Sequence, residues 1–289
     1  MLPGQLEIHS HPRMRHPRMI LGMSGWMDGG DVSTGTVEYL AAKLNAPVLG
    51  LIRPTDFYLY SFPASMEVAS LLRPYCKIRE GLIVECRPPT NRFYFAEDQQ
   101  LILFQGKEPN LRWEDYAECL FAVAGEFHVQ DIFFIGSVAG VVPHTRDPRL
   151  FFSASDAALR EELAHYDMHL SNYEGPAGIS TFLTHAASEK GLRMATIVAE
   201  IPAYIQGRNP RCIESVARHL AGMLNLQVPL DDLRALSDAF EQRVSEVIDK
   251  REDLSPLIRK LESDYDSEVF DTQMGDLKAW LQDQGVRLD

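Results

Sequence analysis

The chain has 289 residues, 45% of them apolar, and a formal net charge of −13. That is enough apolar material for one large α/β domain with an appendage. The acidic balance argues against a nucleic-acid partner and against an anionic membrane surface, since both are bound through clustered Lys and Arg.

Residues 1–17 are polar and carry His9, His11, His16, Pro12 and Pro17, which predicts a flexible N-terminal arm. They lack the apolar segment of a secretory signal, and no stretch approaches the ~18 apolar residues of a membrane helix. A cytoplasmic location is therefore expected, with the four cysteines, Cys76, Cys86, Cys119 and Cys212, as reduced thiols.

From Met19 to Leu44 an apolar run, a glycine-rich turn and an amphipathic helix follow one another without spare residues. Met19, Ile20, Leu21 and Met23 predict a strand covered on both faces. Gly25, Gly29 and Gly30 permit a tight turn, with Trp26 and Asp28 between them. Val32, Thr36, Leu40 and Leu44 then recur at helical spacing. Asp28 is either a cap for that helix or part of a ligand pocket at the strand end.

Pro47 to Ile52 predicts a short strand, and Ala64 to Leu72 a helical run. Lys77 to Glu85 reads as one strand, Asn91 to Phe95 as another, and Leu101 to Gln105 as a buried one. Tyr116, Leu120, Val123 and Phe127 share one face of a helix from Trp113. A strand over Asp131 to Gly136 is followed by a predicted bend over Gly136 to Gly140, and a helix is expected over residues 156–165. The segment Tyr173 to Ser180 leads into another helix, and Met194 to Val198 is a further buried strand. Pro210 opens a helix with Ile213, Val216, Leu220 and Leu224 aligned. This alternation predicts an α/β fold of three layers, a mostly parallel sheet flanked by helices, over residues 18–226.

Residues 227–289 form the expected acidic helical extension. From Leu226 onward there are 8 Lys/Arg against 16 Asp/Glu, so most of the net negative charge lies here. Leu233, Leu236, Phe240, Val244 and Val247 define an amphipathic helix, Ser255-Pro256 begins a second, and Phe270, Leu277, Trp280 and Leu281 suggest a last short one. A solvated face is the simplest reading of the acidic residues.

The chemistry-bearing motifs exclude more than they assign. Neither a dinucleotide fingerprint nor a phosphate-binding G-x-x-x-x-G-K-[ST] loop occurs. Gly136-Ser137-Val138-Ala139-Gly140 puts serine one place too early for a nucleophile elbow. His165 and His169 stand four apart but lack a third ligand, so no metal and no cofactor is expected and no catalytic residue is assigned. The helix start after Gly175 to Gly178 is a candidate anion site, with His144 and Arg146 in support.

Several loops together carry a resemblance. GWMDGG at 25–30, NRFYF at 91–95, GKEP at 106–109, PHTR at 143–146, YEGPAGIS at 173–180 and IPAYI at 201–205 occur in an order and spacing that resemble the PAC2 family, named after a proteasome assembly chaperone. The resemblance implies a fold akin to purine nucleoside phosphorylases and a homo-oligomer, trimer or dimer. It also implies a proteasome-related or other protein partner. Some members of the family carry a carboxylate–amine ligase label. The acidic extension looks like that of actinobacterial-type members. Relatives that dock through a C-terminal tail have a tyrosine near its end; this sequence closes with Gly285-Val286-Arg287-Leu288-Asp289, so docking of that kind is not expected.

Two functions follow as expectations. One is a non-enzymatic binding or assembly protein. The other is a small-molecule hydrolase, phosphorylase-like or ligase-type enzyme with a pocket at the strand ends. The ligand-binding candidates for either are Trp26, Asp28, Gly29, Asn91, Glu108, His144, Arg146, Gly175, Gly178 and Tyr204.

Overall fold

The computed structural model describes residues 4–63, 65–70, 72–251 and 253–283, with the side chains of residues 68, 69 and 271–283 outside the description. Its centre is a nine-stranded sheet in the order β1-β3-β6-β7-β2-β8-β11-β9-β10. The middle four strands, β7 (Leu101–Lys107), β2 (Arg18–Ser24), β8 (Ile132–Gly140) and β11 (Met194–Pro202), run parallel. On one margin β6 (Arg92–Ala96), β3 (Val48–Ile52) and β1 (Leu6–Ile8) add in antiparallel pairs. On the other, β9 (Leu150–Ala154) is antiparallel to β11, and β10 (His169–Leu170) closes the edge. Part of the expected N-terminal arm is thus β1, with Leu6 buried against the sheet.

Alternation of side chains divides the core into two layers. Ile20, Leu103, Phe133 and Ile135 face α1 (Val32–Lys43), α4 (Ala157–Leu163) and α6 (Pro210–Leu224). Leu21, Met23, Ile102, Phe104 and Phe134 face α3 (Trp113–Glu126) and α5 (Ile179–Glu189). Both sheet faces are therefore covered, which is why the central strands read as unbroken apolar runs. Each fully buried Leu, Ile or Phe contributes roughly 1.5–3 kcal/mol.

Three readings change. The predicted bend at Gly136 to Gly140 is strand: β8 continues to Gly140, in register with β11 as far as Pro202. The single strand expected over Lys77 to Glu85 is a hairpin of β4 (Tyr75–Arg79) and β5 (Leu82–Arg87), separate from the main sheet. Glu80 and Gly81 turn it with φ of 49° and 79°, the left-handed pair that a two-residue hairpin turn needs. Finally, among the described residues the acidic end holds two helices, α7 (Asp231–Asp249) and α8 (Ser255–Asp283), where three were expected. Leu277, Trp280 and Leu281 lie on α8, but their side chains are outside the described residues, as are Gly285 to Asp289. In the segment from 64 to 72, α2 (Met66–Ser70) is the described helix.

Among the described residues no helix is long and apolar enough to cross a membrane.

Candidate functional site

Because β2, β7, β8 and β11 are parallel, their carboxyl ends open on one edge, and the loops after them meet there. The loop after β2 is shaped by Glu108. The Trp26 amide donates to Glu108 Oε2 at 2.8 Å, and the Glu108 amide donates to the Ser24 carbonyl at 2.8 Å. Gly25 has φ of 146°, and a Cβ there would stand 2.6 Å from Glu108 Oε2, so only glycine fits under this carboxylate.

The other carboxylate oxygen, Oε1, accepts from the Ile179 amide at 3.4 Å, at the first residue of α5. Gly178 offers no side-chain cap. A negative group at a helix start meets unpaired N–H groups and the positive end of the helix dipole. The position proposed for a phosphate is thus filled by the chain's own carboxylate. Gly178 lies on the same rim as Asp28: a Cβ at Gly178 would be 3.9 Å from Met27 Cγ. Gly175 sits under the Tyr173 ring, whose hydroxyl donates to the Pro176 carbonyl at 3.1 Å.

Asp28 caps α1 from outside the helix. Its Oδ1 accepts from the Thr34 amide at 3.0 Å and its Oδ2 from the Thr34 hydroxyl at 2.7 Å. Burial pushes its carboxyl up to about 6, against the lowering effect of the Thr34 hydrogen bonds and with a further push from Asp31. Ser137 ties this loop to β8: its amide donates to the Met27 carbonyl at 2.9 Å and its hydroxyl to the Gly29 carbonyl at 2.7 Å. Ser137, out of place for a nucleophile elbow, is a fastening between two strand ends.

Asn91 is fully enclosed. Its Oδ1 accepts from the Tyr58 hydroxyl at 2.8 Å, the Lys107 amide at 3.1 Å and the Tyr116 hydroxyl at 3.1 Å. Burial pushes the Tyr58 phenol up to about 12 and the Tyr116 phenol well above its usual value, which keeps both as donors.

His144, Arg146 and Tyr204 lie under the acidic extension. The His144 backbone amide donates to the Tyr204 hydroxyl at 2.8 Å, and its Nδ1 is 2.9 Å from the same oxygen. Its Nε2 is 3.0 Å from Ser245 Oγ on α7. A serine, a histidine and an orienting hydroxyl in line suggest a nucleophile and its base. No substrate-sized space opens at the imidazole: His144 is 3% exposed, and the crevice beside it, lined by Pro143, Pro202, Cys212 and Phe240, has no room for a water molecule. Burial lowers the His144 pKa, so the imidazole sits neutral between two helical layers.

Arg146 grips α8 with one guanidinium edge, Nε donating to Asp266 Oδ1 and Nη2 to Asp266 Oδ2, each at 2.8 Å. Thr145 donates to Glu262, Arg149 pairs with Glu268, and Arg211 pairs with Glu241 on α7. The Arg149 guanidinium also lies 4.7 Å from the centre of the Tyr265 ring. Part of the acidic face read as solvated is therefore the counter-charge to the loop between β8 and β9. An open groove of about 720 Å³ runs along α8 beside Arg146, Arg259 and Phe270, away from Trp26 and Asp28.

The ten candidates thus fall into a rim group (Trp26, Asp28, Gly29, Glu108, Gly175, Gly178), a buried hub (Asn91) and a clasp beneath α7 and α8 (His144, Arg146, Tyr204). Reasoning from sequence weighed Ser137 only as a nucleophile, and it missed Ser245 and Thr34. Only Thr34 carried a signal, its place in the first helical turn after Asp28. Among the described residues no cluster of three or more His, Cys, Asp or Glu is placed to hold a metal.

The PAC2 family model matches residues 22–248, which includes every rim and clasp segment and most of α7. None of the curated proteins matches the chain. Among solved structures, a Mycobacterium tuberculosis protein of unknown function is 20% identical with a TM-score of 0.84, over 96% of this chain and 94% of that one. A Mycobacterium tuberculosis proteasome-assembly chaperone homologue is 27% identical with a TM-score of 0.71, over 82% of this chain and 98% of that one. A PAC2 family protein from Streptomyces avermitilis is 26% identical with a TM-score of 0.69, over 81% and 96% of the two chains. With the family model covering residues 22–248 of the 289, this protein belongs to the PAC2 family.

Proposed function

We propose that this chain is a non-enzymatic, assembly-chaperone-like protein that binds other proteins through the rim at the strand carboxyl ends. It works in the cytoplasm as a homo-oligomer, a dimer or a trimer, and its partners are proteasome-related subunits. The observation that carries this reading is the way the rim is finished. Its polar side chains, Asp28 and Glu108, are engaged by other parts of the chain, whereas Trp26 is 74% exposed. Tyr173 and Val141 are exposed on neighbouring loops. Aromatic side chains held out on a rigid backbone anchor protein interfaces; they do not by themselves activate a substrate. The relationship to a proteasome-assembly chaperone homologue supports the choice of partner.

The test is to mix the protein with isolated proteasome α-type subunits at micromolar concentration and follow elution with light scattering. A co-eluting complex is expected. Two unshifted peaks would count against this partner, and a monomer mass for the protein alone would remove the oligomer.

A further inference from the structure

Cys76 and Cys86 are register partners across the β4–β5 hairpin, and both are exposed. Directly opposed residues of an antiparallel pair project from the same face, with Cα atoms about 4.5 or 5.5 Å apart according to the pair type. Either spacing lies within the roughly 4.4–6.8 Å that a disulfide bridges. The ladder shifts register between Lys77 and Ile78, and beyond that irregularity the Cys76–Cys86 pair is held by its neighbours, Lys77–Glu85 and Tyr75–Arg87, the Arg87 guanidinium lying 5.2 Å from the Tyr75 ring centre. Among the described residues the hairpin pairs with no other strand, and a two-stranded hairpin alone is marginal in water. It nevertheless presents Ile78, Leu82, Ile83 and Val84 to solvent. A covalent tie across such a ribbon would hold a surface that little else in the main sheet supports.

We propose that Cys76 and Cys86 form a redox-active dithiol that a low-molecular-weight disulfide converts into an intrachain bridge, clamping the hairpin. One thiolate attacks a sulfur of the small disulfide, breaking its S–S bond and expelling one small thiolate. The mixed disulfide is then attacked at the protein sulfur by the second cysteine thiolate, expelling the other small thiolate. The protein gives up two electrons and two protons. The oxidant takes both and leaves as two thiols, and excess small thiol reverses the sequence. Cys119 and Cys212 are internal controls. Both are buried, burial pushes their thiols up to about 11 and about 12, and neither has access to solvent.

The experiment uses the full chain, folded, incubated with oxidised glutathione, then quenched in acid, denatured, alkylated and mapped by mass spectrometry. The expected product is a monomeric chain lighter by two hydrogen atoms, with Cys76 joined to Cys86 and Cys119 and Cys212 still alkylatable. Dithiothreitol should restore all four thiols. Cys76→Ser should instead stop at a stable glutathione adduct on Cys86, because the resolving thiol is gone. Stable glutathione adducts on both cysteines of the unaltered chain, a bridge between two chains, or no reaction at either cysteine would each overturn the proposal.

Discussion

Glu108 joins Trp26 to the start of α5: one carboxylate oxygen accepts from the Trp26 amide at 2.8 Å and the other faces the Ile179 amide at 3.4 Å. Glu108→Ala removes both acceptors. It is expected to cost roughly 1–3 kcal/mol in urea unfolding, the penalty for amides left without partners. Gly25→Ala should cost a comparable amount, because alanine would occupy a strained φ and collide with this carboxylate. Combining the two should cost less than the sum, since the collision is gone while the strained φ remains. Strict additivity would show that the two residues do not touch.

The part-buried carboxyl of Asp28 makes a pH-dependent contribution of definite sign. Its folded pKa, about 6, lies above its ordinary 3.8, so the folded state binds this proton more tightly than the unfolded chain. Its contribution is complete below 3.8 and is lost as pH rises to about 6. Asp28→Asn keeps an oxygen for the Thr34 amide and offers an N–H to the Thr34 hydroxyl. The variant should melt higher than the parent at pH 7.5, by at most roughly 3 kcal/mol equivalent, and the advantage should vanish near pH 4. Melting curves across that range check the sign.

The imidazole of His144 acts in the opposite direction. Burial depresses its pKa, although Glu241, Glu262 and Asp249 pull it upward while Arg211 pushes it down. A neutral buried histidine contributes stability above the unfolded value near 6.5, and this is lost as pH falls through the depressed folded value. Amides of α7 should therefore exchange faster with deuterium at pH 5 than intrinsic rates predict, and Ser245→Ala should raise α7 exchange at pH 8 as well. Equal protection of α7 at both pH values would remove this role.

The bidentate Arg146–Asp266 pair is exposed at its outer edge, so its loss should scarcely alter the melting temperature. Its effect should be local. Arg146→Ala should raise exchange and proteolysis in α8 while leaving the central strands protected. Arg146→Lys should rescue only in part, because an ammonium cannot meet both carboxylate oxygens in the same plane.

The fold was legible where physical constraints are local. Met19 to Met23 is continuous because helices cover both faces, and Pro210 opens α6 with a fixed φ. It was less legible where pairing overrides composition. The glycines at 136 and 140 suggested a bend, yet the register with β11 keeps the chain extended. Glu80 disguised the hairpin, since a left-handed glutamate is not the usual turn signal. The Asp28 cap could be read from its distance to Thr34. The His144–Ser245 contact spans 101 residues and leaves no trace in local spacing.

The most direct measurement is the affinity for isolated proteasome α-type subunits of the parent chain and of Trp26→Ser, which removes an exposed ring without touching the core. The account predicts measurable binding by the parent, at least tenfold weakened in Trp26→Ser, with unchanged melting temperature. Equal affinity for both chains, or no binding by either, would contradict it.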